Sequence, residues 1–588
     1  MHNKIKLYLL QKWLQLAVIL LASAIATPIR AQPVPPTLIP PPRPETVPLP
    51  IRPTAPSPLP SNNLLQPSTP STTGSELLPS TIKSTIIIKQ FRFIGNTVFS
   101  SQKLAHELIP FTDRPITFAE LLQARNVITA LYIKNGYIAS GALIPVDQKL
   151  QKGILTIQVV EGKLEAIKVT GVRRLNRNYV RSRLRLATSA PLNRNRLIEA
   201  LQLLQLNPLI KNISANLAAG TRPNTSVLEV QVTEAKPFST QLILDNNRPT
   251  SVGSFERGIQ LNHANLLGIG DGLSVGYTNS DGTNNLNAGY SLPFNPRNGT
   301  LSLNYGRTWS RVIIKPFSRL NIDVNYSSYD LTMRQPIVQT PNTDFALGVT
   351  GSRRESNTSF LGSRELGQLI TPGADNRGRT RISSIRFFQE WTRRNSRSVL
   401  AARSQFSLGV GAIDATIHRT GPDSRFFSWQ GQGQWARLLA PDTLLVIRGD
   451  LQLASRQLVP LEQFGLGGIE TVIGYPEYYL ITDNAAFGSV ELRLPIFRLP
   501  KQATVFQLVP FVNAARGWDI LGSRSSEQSS TSSTRAQTLL SVGLGLRLQL
   551  GNNLTARFDW GRPLINNNFR KRTWQENGFY FSLQYNPF

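Results

Sequence analysis

The chain has 588 residues, enough for about four ordinary domains or for one large β-barrel with smaller modules attached. Lys and Arg number 64 against 35 Asp and Glu, a net charge of +29, but charged residues make up only 17%, below the roughly 25% of soluble globular proteins, so the positive balance reflects scarce acids rather than crowded bases. Cysteine is absent and the four histidines form no H-E-x-x-H, which excludes disulfides, thiol catalysis, thiolate metal sites and a local histidine metal motif.

Lys4, Lys6 and Lys12 precede an apolar stretch from Trp13 to Ile25, the layout of a signal peptide over residues 1–31. Two cleavage frames are available, Ala24-Ile25-Ala26 and Ile29-Arg30-Ala31. The apolar stretch falls short of the roughly 20 residues needed to span a bilayer, and no later stretch is long and apolar enough for a transmembrane helix. An exported chain of this kind is either soluble or a β-barrel. Residues 32–84 form a Pro/Ser/Thr linker, as in Pro40-Pro41-Pro42-Arg43-Pro44. Proline lacks an N–H and fixes φ, so this stretch is expected to be extended and unpacked, serving as a spacer or as a tether.

Residues 85–162 read as a β-α-α-β-β unit. Ile86 to Phe93 is a strand closed at Gly95-Asn96, and Ser101 to Ile109 is a short helix. Thr117 and Glu120 make a capping box for a second helix with Leu121, Ile128 and Leu131-Tyr132 on its apolar face. Tyr137 to Pro145 and Ile154 to Val160 follow as strands. Residues 163–235 repeat the order: a strand over Leu164 to Thr170, helices capped by Asn176 and Asn193, then strands over Ile213 to Leu217 and Ser226 to Thr233. Two units of about 75 residues with one pattern are an internal duplication.

From residue 236 to 588 helical periodicity gives way to alternation. Leu540, Val542, Leu544, Leu546, Leu548 and Leu550 alternate with Ser541, Gly543, Gly545, Arg547 and Gln549, and Leu445, Ile447, Gly449, Leu451 and Leu453 behave likewise. A period of two places one set on each face of a sheet. The stretch is too long for one sandwich, carries strand aromatics such as Tyr277, Tyr290, Tyr305 and Trp309, and ends in an aromatic strand. At about 22 residues per strand and turn it accommodates roughly sixteen strands of a transmembrane antiparallel β-barrel. The fold class is therefore α+β modules followed by that barrel.

No enzyme signature survives inspection. Gly272-Leu273-Ser274-Val275-Gly276 matches G-x-S-x-G, but a nucleophile elbow needs a strand-to-helix turn and the surroundings are strand. Gly268-Ile269-Gly270-Asp271-Gly272 opens no helix and reads as a turn. No P-loop is present, so any work done needs an energy source outside this chain. No cofactor or metal is implied, and with no basic run, zinc finger or RNP pattern nucleic acid is not an expected partner.

The residues from 85 to 588 resemble the outer-membrane transporters of two-partner secretion, the filamentous-haemagglutinin and haemolysin secretion/activation family, within the superfamily that shares POTRA domains and a barrel. The likeness lies in Phe93-Ile94-Gly95-Asn96-Thr97-Val98-Phe99 and Val160-Glu161-Gly162 of the first unit, in Pro191-Leu192-Asn193-Arg194 and Leu206-Asn207-Pro208 of the second, and in Asp245-Asn246-Asn247-Arg248 and Leu267-Gly268-Ile269-Gly270-Asp271 at the start of the barrel. It implies an outer-membrane protein whose POTRA domains, 85–162 and 163–235, face the periplasm and receive an unfolded exoprotein, which crosses the barrel 236–588 to the cell surface. The implied partners are that exoprotein, large and β-helical, together with outer-membrane lipid and the barrel assembly machinery. A barrel assembly or insertion factor of the same superfamily and a passive porin with periplasmic modules are the alternatives.

The family's long inward-folded loop carries a V-R-G-[FY] tip. Gly467, Gly468, Val472, Ile473, Gly474 and Tyr475 align with it, with Ile473 at the arginine position. The family's acidic wall motif corresponds to Asp559-Trp560-Gly561, so Asp559 and Gly561 are the expected wall partners of the loop. Half of the expected ion pair is missing, and Asp559 must find another base or water. Some family members also carry a plug helix ahead of the first POTRA, which Pro33 to Pro79 cannot form. Arg448, Arg493 and Arg547 fall on the lumen face, either as solvated lining or as an aid to an acidic partner.

Overall fold

The computed structural model describes residues 64–67, 85–146, 148, 152–499, 503–520, 536–565 and 572–587. The expected signal peptide lies outside them, as do residues 32–63 and 68–84 of the expected linker. The four linker residues that are described correct the expectation of an unpacked segment. Leu65–Pro67 (β1) is a strand, paired in parallel with the second α/β unit, and Leu65 is buried in that unit's core. The physical reason is local. Between Pro60 and Pro67 six residues run without proline, so backbone N–H groups are free to pair, and Leu64-Leu65 supplies apolar side chains to bury.

The first unit contains β2 (Ile86–Ile87), β3 (Gln90–Ile94), α1 (Ser101–Glu107), β4 (Pro115–Ile116), α2 (Phe118–Lys134), β5 (Gly141–Leu143) and β6 (Ile154–Val160). The sheet order is β3-β6-β5, with β3 parallel and β5 antiparallel to β6. Thr117 and Glu120 cap α2 reciprocally. Its buried face, Leu121, Ala124, Ile128 and Tyr132, packs on Phe91, Phe93, Leu155, Ile157 and Val159. The strand expected over Tyr137 to Pro145 is shorter, because the Tyr137 N–H donates back to Tyr132 O of the helix end and Ser140 N–H to Tyr137 O, forming a turn instead.

The second unit contains β7 (Lys163–Thr170), α3 (Arg177–Arg185), α4 (Arg194–Gln205), β8 (Ile210–Ala219) and β9 (Thr225–Glu234). Asn176 and Asn193 accept the first free N–H groups of α3 and α4 at 2.8 and 2.9 Å. The duplication extends to one device. Gly95 and Gly171 have φ of +86° and +83°, and a Cβ on either would lie within 2.4 Å of a strand carbonyl, Val159 O or Val232 O. The turn each glycine makes is then tied by a carboxylate at the end of the last strand. Glu161 accepts from Thr97 N and Val98 N at 2.7 and 3.0 Å and from the Tyr132 hydroxyl at 2.9 Å. Glu234 accepts from Arg173 N and Leu175 N at 2.7 and 2.8 Å.

Burial acts to raise the Glu161 carboxyl, but the hydrogen bonds from Thr97 and Val98 outweigh it and hold the group below the usual carboxylate range. A depressed folded-state pKa contributes stability above the unfolded value, and that contribution is lost as pH falls through the folded one. Glu161→Ala is therefore expected to destabilise the 85–235 unit by about 1–3 kcal/mol at neutral pH, since two N–H groups and the hydroxyls of Thr97 and Tyr132 lose their acceptor. Thermal unfolding followed by circular dichroism should show the gap between variant and wild type narrowing as pH falls from 7 into the acid range; a gap independent of pH would rule out the carboxylate as its source.

After the second unit come sixteen antiparallel strands in a closed barrel. The first eleven are β10 (Phe238–Asp245), β11 (Glu256–Ala264), β12 (Gly272–Asn279), β13 (Thr283–Pro293), β14 (Thr300–Arg311), β15 (Asp323–Gln339), β16 (Thr343–Ser359), β17 (Arg379–Arg394), β18 (Ser398–Val410), β19 (Phe427–Ala440) and β20 (Thr443–Ala454). A long connection follows, carrying a small hairpin of β21 (Phe464–Leu466) and β22 (Leu480–Thr482) that lies outside the barrel sheet. The last five barrel strands are β23 (Asn484–Leu499), β24 (Thr504–Trp518), β25 (Gln537–Leu550), β26 (Leu554–Pro563) and β27 (Phe579–Tyr585). The barrel closes where Leu242–Asp245 pair with Ser582–Tyr585. Alternation sorts the faces as the sequence implies. Val542, Leu544, Leu546 and Leu550 are exposed on the outside of β25, while Leu539, Ser541 and Gly545 are buried inside. Trp309, Trp391 and Trp560 point outward.

The second α/β unit is docked on one end of the barrel. Asn176 N–H donates to Gly268 O at 2.7 Å in the β11–β12 turn. Gly270 of that turn, φ +86°, sits against the Tyr179 ring with no room for a side chain. Arg183 stacks 3.4 Å over Tyr179 and donates to Asn298 in the β13–β14 turn at 2.8 Å. The glycine-rich run rejected as a nucleotide site is thus a docking turn, closed by Asp271, which accepts from Leu267 N at 2.9 Å and from the Tyr290 hydroxyl at 3.0 Å. Strands alternate in direction, so the long 455–483 connection leaves the barrel at the opposite end.

Candidate functional site: a loop folded into the lumen

The 455–483 connection turns back into the barrel and is held at its root and at its tip. At the root, Glu462 accepts from Arg386 at 2.7 and 3.0 Å and from Arg354 at 3.2 Å. These arginines project inward from β17 and β16, on the wall facing the loop. All three side chains are nearly buried, at 4%, 9% and 11% exposure. Charges so far from water are tolerated because each has its partner. Gln452 binds Glu462 O and Asp483 O at 3.1 and 3.2 Å, bracing the two ends of the loop. Asp483 in turn accepts from Leu458 N at 2.9 Å and from Gln463 at 3.0 Å. Leu458, Val459 and Leu461 pack with Tyr326, Ile382 and Phe426 of the wall.

At the tip the seating is made largely by backbone. Gly467, Gly468 and Gly474 all have positive φ, of +104°, +90° and +107°. Thr471 ties the first turn, accepting from Gly467 N at 2.9 Å and donating to Gly467 O at 3.0 Å. Gly468 N–H donates to Tyr475 O at 2.9 Å, so the tip is a closed loop of its own. A Cβ on Gly474 would lie 2.9 Å from the Gly561 carbonyl of β26, and one on Gly561 would lie 2.5 Å from Ile473 O. Gly561 N–H donates to Gly578 O at 2.9 Å. Three glycines thus bring the loop, the β26 wall and the start of β27 into backbone contact. Tyr475 is fully buried with Val472 and Leu466, and its hydroxyl donates to Leu540 O at 3.2 Å. The Tyr580 hydroxyl of β27 donates to Tyr475 O. Gln575 links the tip to the opening strand: it accepts from Glu477 N at 3.3 Å and donates to Arg248 O at 2.8 Å. In the same motif Asn246 bridges the barrel seam, donating to Phe579 O at 2.9 Å and accepting from Phe581 N at 2.8 Å, and Arg248 pairs with Glu256.

The structure brings together the sequence-predicted Gly467, Gly468, Val472, Ile473, Gly474, Tyr475 and Gly561, and it shows what meets Asp559. That carboxylate is fully buried and held by two arginines of the wall, Arg547 at 2.6 Å and Arg557. Both flank it on β25 and β26, so no loop arginine is needed. Ile473 instead packs with Ile469, Phe511 and Tyr580. Arg547 also lies 3.7 Å from Glu491, as does Arg493. Arg448 reaches Glu470 of the loop, at 3.9 Å to the carboxylate and 3.3 Å to its carbonyl. Each of the three lumen arginines thus lies within ion-pair reach of a carboxylate, Arg448 with Glu470 of the loop, and Arg493 and Arg547 with Glu491 of the wall. Sequence reasoning missed Glu462, Arg354, Arg386, Asp483, Gln575 and Tyr580. The two arginines were legible as lumen-phase residues by alternation, but nothing local couples them to a glutamate 76 and 108 residues away.

Comparison with known proteins agrees with this architecture. Residues 224–548 match the family model for the haemolysin secretion/activation proteins ShlB/FhaC/HecB, and residues 86–162 match the ShlB-type POTRA domain. The outer membrane transporter CdiB of Dickeya dadantii is 22% identical over 458 residues, covering 76% of this chain and 78% of that protein. The heme/hemopexin transporter protein HuxB of Haemophilus influenzae is 22% identical over 495 residues, 80% and 82% of the two chains. The solved structure of CdiB from Escherichia coli superposes with a TM-score of 0.65 at 19% identity, covering 88% of this chain and 94% of that one. The family match spans more than half of the chain, covering most of the barrel and the inward loop. The chain belongs to the haemolysin secretion/activation family, the outer-membrane transporters of two-partner secretion, with its POTRA region on the periplasmic side and its long loop entering from the cell surface.

Proposed function

We propose that this transporter passes a large, unfolded exoprotein that becomes β-helical outside the cell, that residues 85–162 and 163–235 receive it as two POTRA domains, and that loop 455–483 is the element whose seating controls the pore. The observation that carries this reading is the loop itself. It lies across the lumen and is tied to opposite walls, by Glu462 to β16 and β17 at the root and by Gly474 to β26 at the tip. A passive porin has no need of so many specific ties on a lumen segment. In the transporter they set two states, seated and displaced, that a passing chain can exchange. The barrel assembly machinery would insert this barrel as it does other outer-membrane proteins, and lipid would meet its apolar outer face. With no P-loop motif in the sequence, folding of the exoprotein outside supplies the bias.

The test needs the cognate exoprotein, to be sought as a large secreted repeat protein encoded near this gene. Cells lacking the transporter should retain it in the periplasm, and cells carrying the full chain should release it into the medium. Deleting residues 85–235 should abolish capture while the barrel remains in the outer membrane. Unchanged affinity of the deleted form for the urea-unfolded exoprotein would show that the POTRA domains are not the receivers.

A further inference from the structure

The sheet of the second POTRA has an edge at β8 that is not open. Its order is β1-β8-β9-β7, and the outermost strand comes from the proline-rich segment ahead of the first POTRA. The pairing is parallel, Leu65 with Ala215, Gln66 with Asn216 and Pro67 with Leu217. The site has a definite shape. Ile213, Ala215 and Leu217 of β8 point into the core with Leu201 and Leu204 of α4 behind them, and Leu65 completes that core at 4% exposure. Ala215 opposite Leu65 is small, which leaves room for the larger side chain. The next pair in register, Gln66 with Asn216, carries no charge. Pro67 has no N–H to donate, so the added strand stops there. Such an edge selects an extended, uncharged segment with an apolar side chain at the Leu65 position.

We propose that this β8 edge is the strand-docking site of the second POTRA, and that residues 64–67 occupy it as a tethered competitor that the exoprotein must displace. The proposal rests on the reading that the POTRA domains receive the exoprotein. A β-rich exoprotein held unfolded offers many extended segments of alternating apolar and polar residues, any of which can present an apolar side chain to that position. Residues 68–84 are long enough to return the chain to the first POTRA, since seventeen residues reach up to ~60 Å. A segment on a tether of that length competes at an effective concentration on the order of millimolar. Weak stray segments are therefore excluded, and a chain with many suitable segments in succession wins. The proline spacing sets the strength: three paired residues cover Ala215–Leu217 of the edge and are too few to hold it permanently.

Two experiments on the full-length protein test this. A fluorescent peptide with the sequence of residues 61–70 is titrated against the wild type and against Leu65→Asp, which puts a charge where the core needs an apolar group. The variant is expected to bind the peptide at least tenfold more tightly than the wild type, because its edge is vacant. Equal binding to both proteins, or no binding to the variant while it remains heat-modifiable, overturns the site. The second experiment exploits the absence of native cysteine: Gln66→Cys with Asn216→Cys, directly paired in register, is oxidised to lock the segment in place. Exoprotein release is expected to fall at least fivefold on oxidation and to recover with reductant, the two states being compared within the same double variant. Failure of the disulfide to form, or undiminished release by the locked form, overturns the competition. That outcome is distinct from failure of the receiving role, which deletion of 85–235 reads separately.

Discussion

Replacing Gly474 with valine is expected to stop secretion while the barrel still inserts and remains heat-modifiable. Gly474 has φ +107°, a region that costs a residue with a Cβ roughly 1–2 kcal/mol. The larger effect is steric, since the new Cβ would lie 2.9 Å from both the carbon and the oxygen of the Gly561 carbonyl. Both partners are backbone, so neither can rotate away, and the tip must lift off the wall. Deleting residues 470–476 should give the same phenotype by removing the tip outright. Gly433→Ala is the control, since a Cβ there meets nothing within 4 Å. Ile473→Ala should have an intermediate effect, because Ile473 is buried with Ile469, Phe511 and Tyr580 and truncating such a side chain costs about 2–5 kcal/mol. The measurement is exoprotein in the medium against barrel in the outer membrane. Normal secretion by the deletion variant would reduce the tip to a surface connection and remove the assigned role of Gly474 and its neighbours.

Glu462→Ala is expected to free the root of the loop. It leaves Arg354 and Arg386 nearly buried and facing each other without their carboxylate, a loss of about 3–5 kcal/mol. The loop should become accessible to added protease and the pore should conduct more ions in planar bilayers. Replacing Glu462, Arg354 and Arg386 together by leucine should recover much of the thermal stability of the barrel in detergent, because all three desolvated charges disappear together. It should not restore regulated secretion if breaking and remaking of the ion pair is part of the cycle. Unchanged conductance and unchanged melting of Glu462→Ala would mean that the apolar packing of Leu458, Val459 and Leu461 alone holds the root.

Local patterns were enough to set the element types and their order. Alternation is a local property of a strand with two different faces, and it placed Arg448, Arg493 and Arg547 in the lumen and Val542 and Leu544 outside. Thr117 with Glu120, Asn176 and Asn193 announced their helices because a cap acts within three residues. The glycines of the tip were legible only through the family resemblance of the Gly467 to Tyr475 stretch; that all three take positive φ is what the structure adds. Tertiary structure decided the pairings that close over long sequence separations. Whether Asp559 would be met by the loop or by its own wall depended on side chains of β25 and β26 converging on one point, which alternation leaves open. Glu462 finding Arg354 and Arg386 depended on how far the loop folds back across the barrel. The proline-rich segment defeats sequence reading where it matters most, at Leu64-Leu65. Composition averages over a window, whereas a sheet edge needs only three residues with the right side chain in one register to bury it.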